Sequence, residues 1–300
     1  MENKYTVSYL HFSALLCVFS VADSIILMPL YSKNLIELPA AVLLGILIVL
    51  PVFKPLKKIL EVKNSVVKGI IYAVIFALSL TYAVFAAREY TVFIYENLLI
   101  KANMFLIKLI FAVCAAYLAS KGKDTIYKFS VLSAFFITAI FVIMFLISIK
   151  NFDILNLKTV FSFSDISFKH ISDYCYRLFF PLLLAVLFIS GDLRKSAPRF
   201  IVPSGVAWGM LLCVIVILDS ILSFGLSLAS KLKYPYIDDI STVTIGSIFT
   251  RMDGFAYFAF FVCYILKCAI LIRLSSNILC NTGVKSQKYL SFILSVVLLI

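Results

Sequence analysis

The chain has 300 residues, 63% of them hydrophobic and 14% charged, with a mean hydropathy of +1.08. Apolar runs of spanning length recur, and the stretches between them never exceed about 25 residues, which excludes a soluble core and leaves a single transmembrane domain over residues 1–300. The net charge of +12 does not point to nucleic acid, because the lysines sit in alternate loops between apolar runs rather than along a groove.

The first span, residues 6–31, carries Asp23 near its middle. An aspartate at the centre of a membrane helix costs roughly 2.5 to 3.5 kcal/mol on insertion scales, so it marks a functional position by default. Ala22, Asp23 and Ser24 are small or polar and Pro29 follows, a pattern that lets the helix open and offer backbone groups to a ligand or ion. The plainer alternative is a hydrogen bond from Asp23 to a neighbouring helix. The run is too long for a signal-peptide core and lacks an A-x-A-like cleavage site, so it is expected to stay in the mature protein.

The second span, 35–53, follows a short turn at Ser32-Lys33-Asn34 and ends in the basic segment Lys54, Lys57, Lys58, Lys63, Lys68. Counting loops alternately, this segment falls on the side of Lys4, Lys121, Lys123, Lys128, Arg194, Lys195, Arg199, Lys285 and Lys288, which the positive-inside rule makes cytoplasmic. The opposite loops set Lys150, Lys158 and Lys169 against Asp153, Asp165 and Asp173, and Lys231 and Lys233 against Asp238 and Asp239. Those loops are nearly neutral, as outer loops should be.

The third span, 69–99, is long enough to require tilt or protrusion and contains Arg88 and Glu89; Glu89, Phe93 and Glu96 share a helical face. In the fourth, 104–119, Lys108 can snorkel. The fifth, 129–149, has no polar signature, and the phenylalanine-bearing segment from Lys150 to Asp173 reads as a surface helix or cap. In the sixth, 174–191, Arg177 lies near the outer end, and Pro181 is expected to break or kink the helix. Interruptions in spans one and six, each first in a block of five, point to an inverted repeat with its site at the interface.

The seventh span, 200–228, carries Asp219 and Ser223 one turn apart, and the eighth, 254–280, carries Lys267 at mid-depth and Arg273 further in. A mid-membrane lysine seeks a carboxylate. The final apolar run, 289–300, reaches barely half of the ~30 Å hydrocarbon core, so an incomplete ninth span and no tenth are expected.

Seven cysteines lie scattered without a C-x-x-C pair and read as small buried residues. His11 and His170 lack acidic or cysteine company at metal-ligand spacing, and no phosphate loop or nucleophile motif is present. No metal, cofactor or enzymatic activity is expected.

Several pieces in order resemble the spore germination permease family, the integral-membrane B subunits of endospore nutrient receptors within the amino acid/polyamine/organocation transporter superfamily. They are Pro29, Arg88-Glu89-Tyr90, Lys121-Gly122-Lys123-Asp124, Asn151-Phe152-Asp153-Ile154, Tyr234-Pro235, Arg251-Met252-Asp253 and Leu266-Lys267. The resemblance implies an all-α, LeuT-like inverted-repeat fold, truncated here after eight to nine spans, with helices one and six broken. It further implies an amino-acid-like germinant bound between those helices, partner receptor subunits of A and C type, and residence in the spore inner membrane or cell membrane.

Where the family has glycine pairs, this chain has Ala22-Asp23-Ser24 and the surroundings of Pro181-Leu182. An aspartate there repels a free carboxylate, so a cationic or neutral ligand is expected, with Ala22, Asp23, Ser24, Arg177 and Pro181 as its contacts. Asp23, Arg88, Glu89, Arg177 and Asp219 are expected to form a polar cluster in the outer half of the bundle. Spans one and eight run side by side in the superfamily, where some members hold sodium, so Lys267 is expected within salt-bridge reach of Asp23, the alternative being that it caps backbone carbonyls at the break. A germinant-sensing receptor subunit is the leading function; a secondary transporter of amino acids or cations and a ligand-blind structural subunit are the alternatives.

Overall fold

The fold is taken from a computed structural model, which describes residues 8–22, 65–99, 101–157, 168–190, 192, 201–229, 231–243, 252–281 and 287–299. All regular structure among them is helical: α1 (Tyr9–Ala22), α2 (Ser65–Asn97), α3 (Met104–Ser120), α4 (Lys123–Ser148), α5 (Phe168–Ser190), α6 (Ile201–Ala229), α7 (Pro235–Thr242), α8 (Asp253–Asn281) and α9 (Gln287–Ser295). Short 3-10 turns occupy Ile149–Asn151, Ile154–Leu157 and Val296–Leu299. Four stretches, Val66–Asn97, Lys123–Asn151, Ile201–Gly225 and Asp253–Cys280, are long and apolar enough to cross a membrane; Tyr9–Ala22, Met104–Ser120, Phe179–Ser190 and Tyr289–Leu299 are shorter apolar helices. The expected second span lies outside the described residues, as do Asp23 and Ser24.

The bundle is built around α8. Its most apolar window is 83% buried, against 28% for α2, and it packs on α1, α2, α3, α4, α5, α7 and α9. A helix that is apolar all round belongs in such a centre. Leucine surrounded by lipid is as content as leucine surrounded by leucine, so polar and small residues must fix the packing. Ser275 of α8 hydrogen-bonds Ser79 of α2 at 2.5 Å, and Ser276 accepts from Ser291 of α9 at 3.2 Å. On α2 the outward residues Val66, Ile70, Val74 and Phe85 are exposed apolar groups, the surface expected against lipid.

The most extensive helix pair is α1 with α6. Here Gly205 and Gly209, one turn apart, let the two backbones meet. A methyl group on Gly205 would stand 2.6 Å from the carbonyl oxygen of Ser13, and one on Gly209 would stand 2.7 Å from that of Cys17. Facing them, α1 presents the small residues Ser13, Cys17 and Ser20, and Ser13 Oγ bonds both Ile201 O (3.2 Å) and Ser204 Oγ (3.0 Å). This is the small-residue packing that membrane helices use in place of a hydrophobic drive.

Two backbone features depart from sequence expectation. Helix α5 runs helical through Pro181, so that span is not interrupted there. Proline removes one ladder hydrogen bond, which membrane helices tolerate where neighbouring helices re-satisfy the freed group. The break falls instead in α6, where Gly225 adopts φ 72°, ψ 161°. Gly225 is required by that conformation, and its Cα side abuts Asn156, whose Oδ1 would lie 2.9 Å from an added Cβ. The carbonyl of Leu222, three residues before the kink, accepts from Asp153 N and from Asn156 Nδ2, each at 3.0 Å. The turn after α4 is thereby pinned to the kink in α6.

Candidate functional site

Lys267 stands at the midpoint of the 29-residue α8 and is 2% exposed. Its stem lies in the centre of the bundle, and its Nζ lies 5.3 Å from the ring centroid of Phe19 on α1. A desolvated ammonium over an aromatic face gains about 2 kcal/mol, too little to offset burial of a full charge, so the lysine is held by more than the ring. Phe19 precedes Asp23 by four residues, one helical turn in sequence. The sequence expectation for Lys267 and Asp23 itself falls on a residue outside those described.

Helix α2 also packs on α8. Its Glu89 is half-buried, and both Glu89 and Lys267 are near enough to act electrostatically on Cys268, whose thiol donates to Ala83 O at 3.5 Å. Arg88 is exposed. The two differ because successive helical residues are turned about 100° apart, so one of them faces α8 and the other faces outward. Next to Glu89 in the chain, Tyr90 packs on Tyr264 at 5.4 Å, on Phe111 at 5.2 Å and on Phe261 at 5.7 Å between centroids, joining α2, α3 and α8.

The shared face of Glu89, Phe93 and Glu96 turns toward the segment before α7. Phe93 meets Tyr234 edge-on at 4.9 Å, Tyr234 donates to Glu96 at 3.3 Å, and Lys233 makes a forked pair with Glu96 at 2.7 and 2.5 Å. Burial, and then the charge of Glu96, push the Tyr234 hydroxyl above its usual range.

Ala22 is the last described residue of α1 and is buried, as is Pro181 in α5; Arg177 lies on α5, with its side chain outside the described set. Asp219 is fully buried. Its neighbours are Asp239 and Tyr236 of α7 and Ser148 at the end of α4. Of the expected polar cluster, Asp23 and the side chain of Arg177 lie outside the described residues and Arg88 is exposed, while Asp219 is turned toward α7 and Glu89 toward α8.

Asp239 is what the sequence did not reveal. Read as a solvated loop acid balancing Lys231 and Lys233, it is 1% exposed, while Lys233 pairs with Glu96. Burial raises its carboxyl above the ordinary range, with Ser223, Asn151 and Ser148 partly opposing the shift. The amphipathic pattern Pro235-Tyr236-Ile237-Asp238-Asp239-Ile240 was the available signal: one helical turn places Tyr236, Asp239 and Ile240 together.

At the other end of the bundle Asp192 accepts from Lys123 Nζ at 2.8 Å and from Tyr127 at 2.7 Å. There Arg273 reaches Ala119 O at 3.2 Å and Gln287 Oε1 at 2.8 Å. Among the described residues no group of three or more His, Cys, Asp or Glu side chains is placed to hold a metal.

Among curated proteins none matches this sequence. Residues 35–300 match the family described as spore germination protein. With that match over nearly the whole chain, and with helices of membrane-crossing length and composition, the chain belongs to the spore germination permease family and is a multi-pass integral membrane protein.

Proposed function

We propose that the protein is a germinant-sensing subunit of a spore nutrient receptor, binding an amino-acid-like molecule beside α1 and α5 and signalling by a change in helix packing. The observation that carries this reading is the buried ammonium of Lys267 at the centre of α8, set against Phe19 one turn ahead of the Ala22-Asp23-Ser24 segment. A cation on α8 and an anion that follows α1 in the sequence complement a net-neutral amino acid. Its carboxylate takes the lysine and its ammonium takes the aspartate, so ligand charges replace protein charges without leaving either buried alone.

A site of that kind discriminates well, because a ligand lacking one charge leaves a buried group unmatched. It also supplies a switch: ligand binding separates Lys267 from Asp23 and biases the α1–α8 packing, which is the differential interaction a conformational response needs. The lysine distribution orients the amino terminus toward the cytoplasm. Partner subunits of A and C type would read the packing change.

The test is binding of zwitterionic amino acids, and of amine-only and acid-only analogues, to purified protein, alongside uptake into vesicles. Saturable binding of zwitterions that Lys267→Met weakens at least tenfold, without uptake, supports the sensing subunit. Uptake would make it a transporter, and absence of binding with intact assembly would make it a structural subunit.

A further inference from the structure

We propose that the end of the bundle capped by α7 holds a divalent cation site of calcium type, formed by Asp219 and Asp239 with Ser148, Ser223, Asn151 and Tyr236. This inference is independent of the ligand site at Lys267.

The two carboxylates come from different elements, α6 and α7, and both are buried, Asp219 at 0% and Asp239 at 1% exposed. They are close enough to repel one another. The hydroxyl of Ser148, 1% exposed, stands beside both of them, and Ser223 and Asn151 stand beside Asp239. Tyr236, 0% exposed, faces both acids.

By hydrogen-bond geometry, both oxygens of Asp219, Oδ2 of Asp239 and the hydroxyls of Ser148, Ser223 and Tyr236 have no well-formed partner among the described residues, although Ser148, Ser223 and Asn151 stand close enough to favour the ionised acids. Neither acid is paired with a described lysine or arginine; Lys233, on the residues leading into α7, is held by Glu96. Buried polar atoms are ordinarily satisfied, and six converging oxygens without a well-formed hydrogen bond, three of them carboxylate, mark a place where something with positive charge belongs.

The donor set decides the class. Every group is an oxygen, which favours hard cations and disfavours zinc and copper. Two carboxylates balance a double positive charge. Calcium accepts six to eight oxygens at variable angles from carboxylates, amide carbonyls and water, whereas magnesium demands near-octahedral geometry and sheds water reluctantly. Neutral oxygens on three separate elements suit the more tolerant ion. Asn151 is exposed and Ser223 half-exposed, so the cluster is open to solvent on one side, at the end that the charge distribution assigns to the exterior.

An ion here would do mechanical work. Asp239 sits on α7, Ser148 ends α4 and Asn151 follows it, and Asp219 and Ser223 lie on α6 within two turns of the Gly225 kink. Bridging them would clamp the cap helix to both spans.

The experiment measures thermal unfolding of the purified full chain in detergent after chelation, with calcium, magnesium or sodium added at matched ionic strength, for the unaltered protein, Asp219→Asn and Asp239→Asn. Terbium emission excited through tyrosine is recorded on the same samples. With a dissociation constant of about 10⁻⁴ to 10⁻³ M, as in extracellular calcium modules, a hundredfold excess of calcium is expected to raise the midpoint by about 5 °C.

Either asparagine variant should fold without calcium, since it removes a buried repulsion, and should lose the calcium shift and the terbium signal together. No calcium shift in the unaltered protein would overturn the proposal, as would an equal shift from sodium, or a calcium shift retained in both variants. A charge supplied by the chain itself would give the first of these results. Acid is expected to stabilise the calcium-free protein in any case; if acid stabilises it and calcium at neutral pH does not, the acids share a proton instead and the proposal falls.

Discussion

The ammonium of Lys267 lies 5.3 Å from the ring centroid of Phe19, joining the middle of the most buried helix to the only described stretch of the first one. That contact fixes where a buried positive charge meets α1. Under the proposed function, a ligand bound beside Phe19 would meet that cation.

The contact predicts how Lys267 responds to substitution. Lys267→Met keeps an apolar stem of similar length, and Lys267→Ala leaves a cavity in addition. The alanine variant is expected to be less stable than the methionine variant by about 2 kcal/mol, read from thermal unfolding in detergent. Equal stability would show that the stem does not pack as the structure has it.

Close approach of α1 and α6 predicts that Gly205→Ala and Gly209→Ala each destabilise by about 1 to 3 kcal/mol, since the added methyl meets α1 backbone rather than a movable side chain. Gly69→Ala and Gly254→Ala, where nothing lies within 4 Å, are the controls and should be near neutral or slightly stabilising. Folded yield and unfolding midpoint check both pairs.

Much of this arrangement was legible in the sequence. Apolar runs located the helices around residues 69–99, 104–119, 129–149, 200–228 and 254–280, and the mid-span lysine stood out because charge is costly there. The G-x-x-x-G spacing of Gly205 and Gly209 was an available signal that the span-by-span reading did not use. Asp239 was hidden for a physical reason: a charge in a short polar segment between spans has the same composition whether it is solvated or folded under a cap. The Gly225 kink was hidden too, because a glycine inside an apolar run does not declare its φ, while Pro181 declared a break that the surrounding helices absorb.

The two ends of the α2 face predict a contrast between charge and packing. The Lys233–Glu96 pair is well exposed, with side chains 59% and 38% accessible, so its coupling in a double-mutant cycle should be below about 1 kcal/mol. Phe93, 1% exposed between Tyr90, Tyr234, Tyr257 and Phe260, should cost about 3 kcal/mol on truncation to alanine. A larger effect from the ion pair would reverse that order.

Asp239 predicts the pH dependence of the cap. Burial holds its carboxyl above the ordinary range, and it faces Asp219, Tyr236, Ser148, Asn151 and Ser223, with Asp238, also raised by burial, beside it on α7. A carboxyl raised in the folded state binds its proton more tightly there than in the unfolded chain. Without divalent cations, stability is therefore greatest in acid and falls as pH rises from about 4 through the raised value. Asp239→Asn should flatten that slope, as followed by unfolding midpoint against pH.

The most direct measurement of the account is a double-mutant cycle on Asp23→Asn and Lys267→Met, read as affinity for a zwitterionic amino acid and as unfolding midpoint. If the two charges share a site, the double variant will lose no more than the worse single variant, with a coupling above about 1 kcal/mol. Additivity within about 0.5 kcal/mol in both readouts would contradict it and would give Lys267 a different partner.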